Sequence, residues 1–152
     1  MSDALPRTGR LAGIDFGTVR IGVAVTDPQQ LLASPLEIHT RRGAVADAAW
    51  LTQLVEYEKL VGFVVGLPVH TSGDESHKSR EARQFGKWLE EQTGLPVRFF
   101  DERFTTAHAE ALLLDAKLTS KRRKERLDKL AAQILLAAYL ESSRTAGEPG
   151  AL

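Results

Sequence analysis

An uninterrupted apolar run, Val61–Leu67 (VGFVVGL), is the feature that most restricts the fold of this 152-residue chain. Pro68 ends the run, which has the length of a strand rather than of a helix. A strand that is apolar on both faces belongs inside a sheet that is covered on both sides. The sequence therefore predicts an α/β fold in which this run is a central strand.

Strand patterns also precede this run. Leu11–Gly17 and Arg20–Asp27 are apolar and β-branched, and the two residues between them indicate a hairpin. Ser34–Arg41 fits a third strand. Apolar residues at helical spacing then predict a helix over Val45–Leu60.

The segments after the run alternate between helix and strand patterns. In order, they predict a helix over Lys78–Thr93, a strand over Pro96–Asp101, a helix from Thr105 or Thr106 to about Leu118, and a helix over Leu127–Leu140. An antiparallel meander followed by two crossover connections must gain two parallel strands. The expected fold is a five-stranded mixed sheet flanked by helices, an order that resembles RNase H-like folds.

The two ends of the chain differ from the middle in composition. Residues 1–10 predict a disordered N-terminal tail, residues 11–141 a single domain, and residues 142–152 a flexible C-terminal tail. The chain has no cysteine, which excludes thiolate chemistry and suits a cytoplasmic protein. We therefore expect a cytoplasmic protein, because the N-terminus has no signal-peptide pattern and no apolar segment is long enough to span a bilayer.

One carboxylate lies inside the first apolar strand. An ionised Asp15 at this position requires compensation for its lost hydration, and a bound cation would supply it. Alternatively, Asp15 caps the turn into Gly17.

Two further acids follow the last strand. Asp101 and Glu102 stand where ligands collect in open α/β sheets. Successive strand side chains point to opposite faces, so at most one of them binds the same metal, and the pattern does not choose between them. Either acid could instead stabilise the dipole of the following helix.

Asp128 opens the predicted last helix. Ala131 and Ala132 share its side, and such small residues would let the helix approach the sheet closely. An acid at a helix start can also simply complement the helix dipole. Taken together, Asp15, one acid after the last strand and Asp128 supply hard oxygen ligands that suit Mg²⁺ or Mn²⁺ and metal-assisted phosphodiester hydrolysis.

Four blocks carry a resemblance to a known family. They are GIDFGTVRIGVAVTD at 13–27, VGLPVHTSGD at 65–74, DERFTT at 101–106 and LDKLAAQILLAAYL at 127–140. In this order they resemble the YqgF family, relatives of RuvC-type resolvases, whose members are described as candidate pre-16S rRNA nucleases or candidate Holliday junction resolvases. The resemblance implies an RNase H-like metal-dependent nuclease.

The resemblance also assigns the metal ligands. It maps the first-strand acid to Asp15, the Glu of the D-E-R motif to Glu102 and the last-helix acid to Asp128. Many related nucleases carry a fourth acid one turn later, where this chain has Ala131 and Ala132. The number of metal ions therefore stays open, as does a contribution from Asp101.

Basic residues predict the nucleic-acid contacts. Twenty Lys and Arg balance twenty Asp and Glu, so any such surface is local. Within the basic run from Lys117 to Arg126, the residues from Lys121 to Arg126 are predicted to form a flexible basic loop beside the metal site. The candidate phosphate contacts are Arg20, Arg103, Lys121, Arg122, Arg123, Lys124 and Arg126.

Several functions remain compatible with the sequence. The preferred one is processing of the 5′ end of pre-16S rRNA, or cleavage of single-stranded RNA or DNA, by a monomer or weak homodimer. The alternatives are a dimeric Holliday junction resolvase, a noncatalytic nucleic-acid or ribosome-associated adaptor, and a nucleotide phosphate-binding module. The last arises because IDFGTVRIGVAV also resembles the phosphate hairpin of sugar kinases, although their D-x-G-x-G-T loop is missing here.

Overall fold

The computed structural model of the protein describes residues 4–68, 77–105 and 120–147. The strands are β1 (Arg10–Phe16), β2 (Arg20–Thr26), β3 (Ala33–Thr40), β4 (Leu60–Leu67) and β5 (Val97–Asp101). The helices in these ranges are α1 (Ala44–Glu58), α2 (His77–Thr93) and α3 (Ser120–Gly147), and a 3-10 turn covers Glu102–Thr105 after β5. Within α3, side chains are described for residues 130–143.

The five strands form one mixed sheet in the order β3-β2-β1-β4-β5. β1, β2 and β3 are antiparallel neighbours, whereas β4 is parallel to both β1 and β5. The predicted five-stranded sheet with an antiparallel meander and two parallel strands is confirmed. β4 lies between two strands, as its continuous apolar run predicts.

Two apolar layers cover the sheet. One face packs on α1 and α2 through residues such as Ile14, Leu51 and Phe85, and the other packs on α3 through residues such as Leu11 and Leu136. Side chains alternate along β1, with Leu11 on the α3 side and Ile14 on the α1 and α2 side. Every odd-numbered position of β1, including residue 15, therefore faces α3.

The last helix is longer than the sequence pattern predicts. It covers Ser120–Gly147 rather than Leu127–Leu140, so the prediction of a loop for the basic residues 121–126 is wrong. The added residues are mostly good helix formers, and no Gly or Pro occurs before Gly147. Thr105 lies in the 3-10 turn, and the helix predicted to follow it, from residue 106 to about 118, is outside the described residues.

Residues near the N-terminus contact the domain. Leu5 is buried in the α3-side layer, and the Gly9 N–H donates a hydrogen bond of 2.7 Å to the Pro28 carbonyl. These contacts lie within residues 1–10, for which the sequence predicts disorder. The limits of the domain and of the C-terminal tail stay predictions. Among the described helices, none has the length and apolarity to cross a membrane.

Candidate active site

Asp15 lies near the end of β1 on the face that α3 covers. Its partner in β2 is Gly22. A Cβ atom built on Gly22 would be 3.5 Å from the Asp15 Cβ and 3.7 Å from the Ala132 Cβ. Gly22 thus leaves a space between the acid and the helix.

Glu102 reaches the same region from the far side of β4. Its carboxylate covers Gly66, where an added Cβ would be only 2.7 Å from Glu102 Oε2. Because Val65 pairs with Ile14, Gly66 is level with Asp15 on the neighbouring strand. The missing side chain at Gly66 therefore gives the Glu102 carboxylate a place beside Asp15.

The electrostatics agree with this proximity. Burial, together with the negative charges of Asp15 and Asp101, raises the pKa of Glu102 from 4.5 to about 7, and Lys78 opposes the rise. Two acids that repel one another at a partly buried position are stabilised by a cation between them. The pair has the ligand chemistry that a hard divalent cation requires.

Asp101 has a different environment. Its carboxylate accepts hydrogen bonds from the backbone N–H and from Nε of Arg103, each 2.8 Å long. These Arg103 contacts hold the pKa of Asp101 below its usual value. The adjacent acids thus have separate surroundings: Glu102 covers Gly66, whereas Asp101 binds Arg103.

The backbone position of Asp128 is set by the packing of α3. The helix begins at Ser120, so Asp128 is in its third turn and not in its first turn as predicted. Ala132, one turn later, approaches the sheet closely, since a Cβ on Gly13 would be 3.0 Å from the Ala132 carbonyl oxygen and 2.8 Å from the Leu136 Cβ. The close approach predicted from the small residues is confirmed at Ala132. The Asp128 side chain is outside the described part of the protein.

Within that part, no group of three or more His, Cys, Asp or Glu side chains forms a metal site. Asp15 and Glu102 are therefore a pair in the described structure, and Asp128 as a third ligand stays a prediction.

The predicted nucleic-acid contacts occupy different settings. Arg20 is exposed at the start of β2, and Arg103 binds Asp101. The backbone of Lys121, Arg122, Arg123, Lys124 and Arg126 lies in the first turns of α3, and their side chains are not described.

The sequence pattern did not identify Gly66 as part of the site, although a glycine inside a buried strand is a known signal of close approach.

An open groove of about 740 Å³ lies elsewhere, between β3 and α1. Its lining includes two leucines, two aromatic residues and three acids, which are Leu36, Leu54, Trp50, Tyr57, Glu37, Glu56 and Glu58. Three acids make this groove unfavourable for a polyanion. The carboxylate edge of the sheet is therefore the better candidate for chemistry on nucleic acid.

Comparison with known proteins decides the family. The family model described as "RuvX: Holliday junction resolvase" matches residues 9–142. The chain belongs to the RuvX (YqgF) family. A relative from Rhodopirellula baltica named "Putative pre-16S rRNA nuclease" is 52% identical over 96% of this chain and 84% of its own length. A relative of the same name from Paracoccus denitrificans is 43% identical over 96% of this chain and 92% of its own length.

Solved structures support the fold. The structure of Thermus thermophilus RuvC in complex with a Holliday junction aligns with a TM-score of 0.53 at 17% identity, covering 88% of this chain and 95% of that one. The fowlpox virus Holliday junction resolvase aligns with a TM-score of 0.50 at 14% identity, covering 88% and 99%. The RNase H-like fold is confirmed, and RuvX membership identifies the chain as a nuclease, a hydrolase of phosphodiester bonds.

Proposed function

We propose that this RuvX protein cleaves nucleic acid with a divalent cation, Mg²⁺ or Mn²⁺, held by Asp15, Glu102 and Asp128. The observation that carries the proposal is the Glu102 carboxylate over Gly66, level with Asp15. Burial and the charge of Asp15, which raise the pKa of Glu102, support a cation at this place. Oxygen ligands favour these two ions over zinc.

The protein contributes position and proton control. Asp15 is fixed by the ladder of β1, and Glu102 by the turn in which Thr105 Oγ1 donates a 2.7 Å hydrogen bond to the Glu102 carbonyl. When bound, the cation supplies Lewis acidity and an activated water for attack on phosphorus. The Glu102 carboxyl must release its proton before it can act as a ligand, which favours activity at or above neutral pH.

The substrate we favour is precursor 16S rRNA, cleaved near its 5′ end, or single-stranded RNA or DNA. The name shared by the two relatives supports the rRNA substrate, which would also place the protein in the cytoplasm. The phosphate contacts would be Arg20, Arg103, Lys121, Arg122, Arg123, Lys124 and Arg126. We propose a monomer or weak homodimer for this activity.

Holliday junction resolution is the second candidate, favoured by the description of the matching family model. A resolvase must cut two symmetric strands and therefore acts as a dimer. Sedimentation with and without a four-way junction separates the two candidates, because only the resolvase requires two copies on the substrate.

The decisive experiment is cleavage of a pre-16S rRNA fragment, single-stranded DNA and a four-way junction with Mg²⁺, Mn²⁺ or EDTA. Loss of a residue that only supports a metal ligand costs about 10–100-fold in metal affinity or activity, so loss of the ligand itself in Asp15→Asn should reduce cleavage by more than about 100-fold. Glu91→Gln, at an exposed position on α2, is the control, and it should retain most activity.

Cleavage that persists in EDTA and in Asp15→Asn would refute the metal mechanism. Tight binding of nucleic acid without cleavage under any metal condition would favour the noncatalytic adaptor instead.

A further inference from the structure

Three arginines meet at the carboxylate edge of the sheet. Arg20 begins β2, and its register partner is Thr40, the last residue of β3. Arg41 and Arg42 follow directly. Because β1 and β3 run in the same direction, this corner lies at the edge where β1 ends beside Asp15. We call Arg20, Arg41 and Arg42 the arginine corner.

Arg41 is held in place from several sides. Its backbone N–H donates a 2.9 Å hydrogen bond to the Val19 carbonyl. Its guanidinium carbon is 5.2 Å from the ring centroid of Phe16 and 5.8 Å from that of Phe85. These are cation–π distances, so the two rings fix the guanidinium close to the end of β1.

Asp47 orients the same guanidinium. Its carboxylate is 2% exposed, and its Oδ2 is 3.5 Å from Arg41 Nε. The other oxygen, Oδ1, lies 2.9 Å from His39 Nε2 and accepts a 3.0 Å hydrogen bond from the Arg42 N–H. The His39 ring stacks on Trp50 with centroids 3.9 Å apart, which fixes this network to α1.

The ion pair leaves the guanidinium able to bind a ligand. Within the described residues, neither Arg41 Nε nor Asp47 Oδ2 has a hydrogen bond, although both atoms are buried. The contact joins Asp47 Oδ2 to Nε, and the Arg41 side chain is 33% exposed. A guanidinium has five N–H donors in a planar fork that suits a phosphate. Asp47 thus orients Arg41 through Nε, while the Arg41 side chain stays partly exposed.

The neighbouring groups add to the attraction for an anion. Arg42 and Arg20 are exposed. Helix α1 begins beside them at Gly43 without a side-chain hydrogen bond to cap it. The free N–H groups of a helix start favour negative charge and here supplement the three cations.

We propose that the arginine corner is a phosphodiester-binding subsite that holds the nucleic-acid strand at the sheet edge where the carboxylates lie. The Arg41 guanidinium lies against Phe16, the residue after Asp15, on the α1 and α2 face of the sheet, whereas Asp15 faces α3. The subsite serves the nuclease proposed above and rests on that function.

Binding in EDTA tests the subsite without requiring cleavage. A fluorescently labelled single-stranded RNA of about 20 nucleotides, an arbitrary length long enough to span the site, is titrated with the full chain at several salt concentrations. Each phosphate contact on a single strand contributes about 0.7 to the slope of log K against log salt. The double variant Arg41→Gln/Arg42→Gln should therefore lower the magnitude of the slope by about 1.4.

The control removes the same charge elsewhere. Lys59→Gln/Lys87→Gln changes two exposed lysines, one at the opposite edge of the sheet and one on α2, and should leave the slope unchanged. If the double variant unfolds, the slope is measured in two single variants instead. Arg41→Lys retains the charge, and Arg42→Gln changes an exposed side chain. A slope equal to that of wild type in Arg42→Gln and in the double variant would overturn the subsite.

Substrate length gives a second readout. On long RNA the double variant should raise KM with little change in kcat, because the subsite is remote from the reacting bond. On substrates shortened to one nucleotide on the side that reaches the corner, wild type and variant should become equal. A variant effect that is the same at every length would contradict the subsite, whereas absence of cleavage by wild type would contradict only the nuclease.

Discussion

Glu102 is the residue whose ionisation is most sensitive to its surroundings. In the metal-free protein, burial and the charge of Asp15 raise its pKa from 4.5 to about 7. The folded state thus holds this proton more tightly than the unfolded chain does. The unfolding free energy should fall as the pH rises from about 4.5 to 7, by at most roughly 3.5 kcal/mol, since each pKa unit corresponds to about 1.4 kcal/mol.

Glu102→Gln removes this dependence because the amide cannot ionise. In EDTA, we expect the variant to be more stable than wild type at pH 8 and equally stable at pH 4.5, as measured by urea unfolding. Glu91→Gln, at an exposed position on α2, is the control and should follow wild type at both pH values. A constant difference between Glu102→Gln and wild type at every pH would contradict the assignment.

The sequence could supply some of this residue-level detail and not the rest. The position of Asp15 inside a strand is predictable from its apolar neighbours. The choice between Asp101 and Glu102 cannot be predicted from the residue pattern. It depends on Gly66, 36 positions before Glu102 in the chain, and on the hydrogen bond from Arg103 to Asp101. Only the pairing of β4 with β1 and β5 brings these groups together.

At the level of elements, the position of α3 on the sheet depends on glycines. A Cβ on Gly13 would meet the Leu136 Cβ at 2.8 Å and the backbone oxygen of Ala132 at 3.0 Å, neither of which is the flexible end of a side chain. Gly13→Ala should therefore push α3 from the sheet and lower the unfolding free energy by about 1–3 kcal/mol.

Gly22→Ala is the matched control on the neighbouring strand. Its added Cβ would be 3.5 Å from the Asp15 Cβ and 3.7 Å from the Ala132 Cβ, which are ordinary contacts. Urea unfolding of the two variants should separate them clearly. Equal stability of Gly13→Ala and wild type would mean that α3 is not held against β1 as described.

Strands were predictable to within one residue at each end because their apolar runs are bounded by turns or prolines. The start of the last helix could not be predicted in the same way, because lysine, arginine and glutamate are common both in helices and in solvated loops. A loop was predicted for residues 121–126 because they are highly charged. In the structure these residues are helical, which agrees with the absence of Gly and Pro among them.

For the whole molecule, charge is balanced overall and distributed unevenly. Twenty basic and twenty acidic residues give no net charge. The arginine corner nevertheless lies at the same sheet edge as Asp15, while the groove between β3 and α1 has an acidic lining. We therefore expect nucleic acid to be attracted locally, at one edge of the protein, with weak long-range attraction by the whole chain.

Metal binding should be visible in the stability of the entire fold. A ligand that binds only the folded state at about 100 times its Kd adds about 2.7 kcal/mol to the unfolding free energy. For a chain of this size, that corresponds to a Tm increase of roughly 5–10 °C. We expect Mn²⁺ or Mg²⁺ to produce this increase in wild type and not in Asp15→Asn.

The pH dependence of that increase distinguishes the carboxylate site from weak binding elsewhere. At pH 6 most of Glu102 is protonated in the metal-free protein, so the cation must displace a proton and binds less tightly. At pH 8 the proton is already lost. The Tm increase at a fixed metal concentration should therefore be larger at pH 8 than at pH 6 in wild type, and an increase that is independent of both pH and Asp15 would place the metal away from these carboxylates.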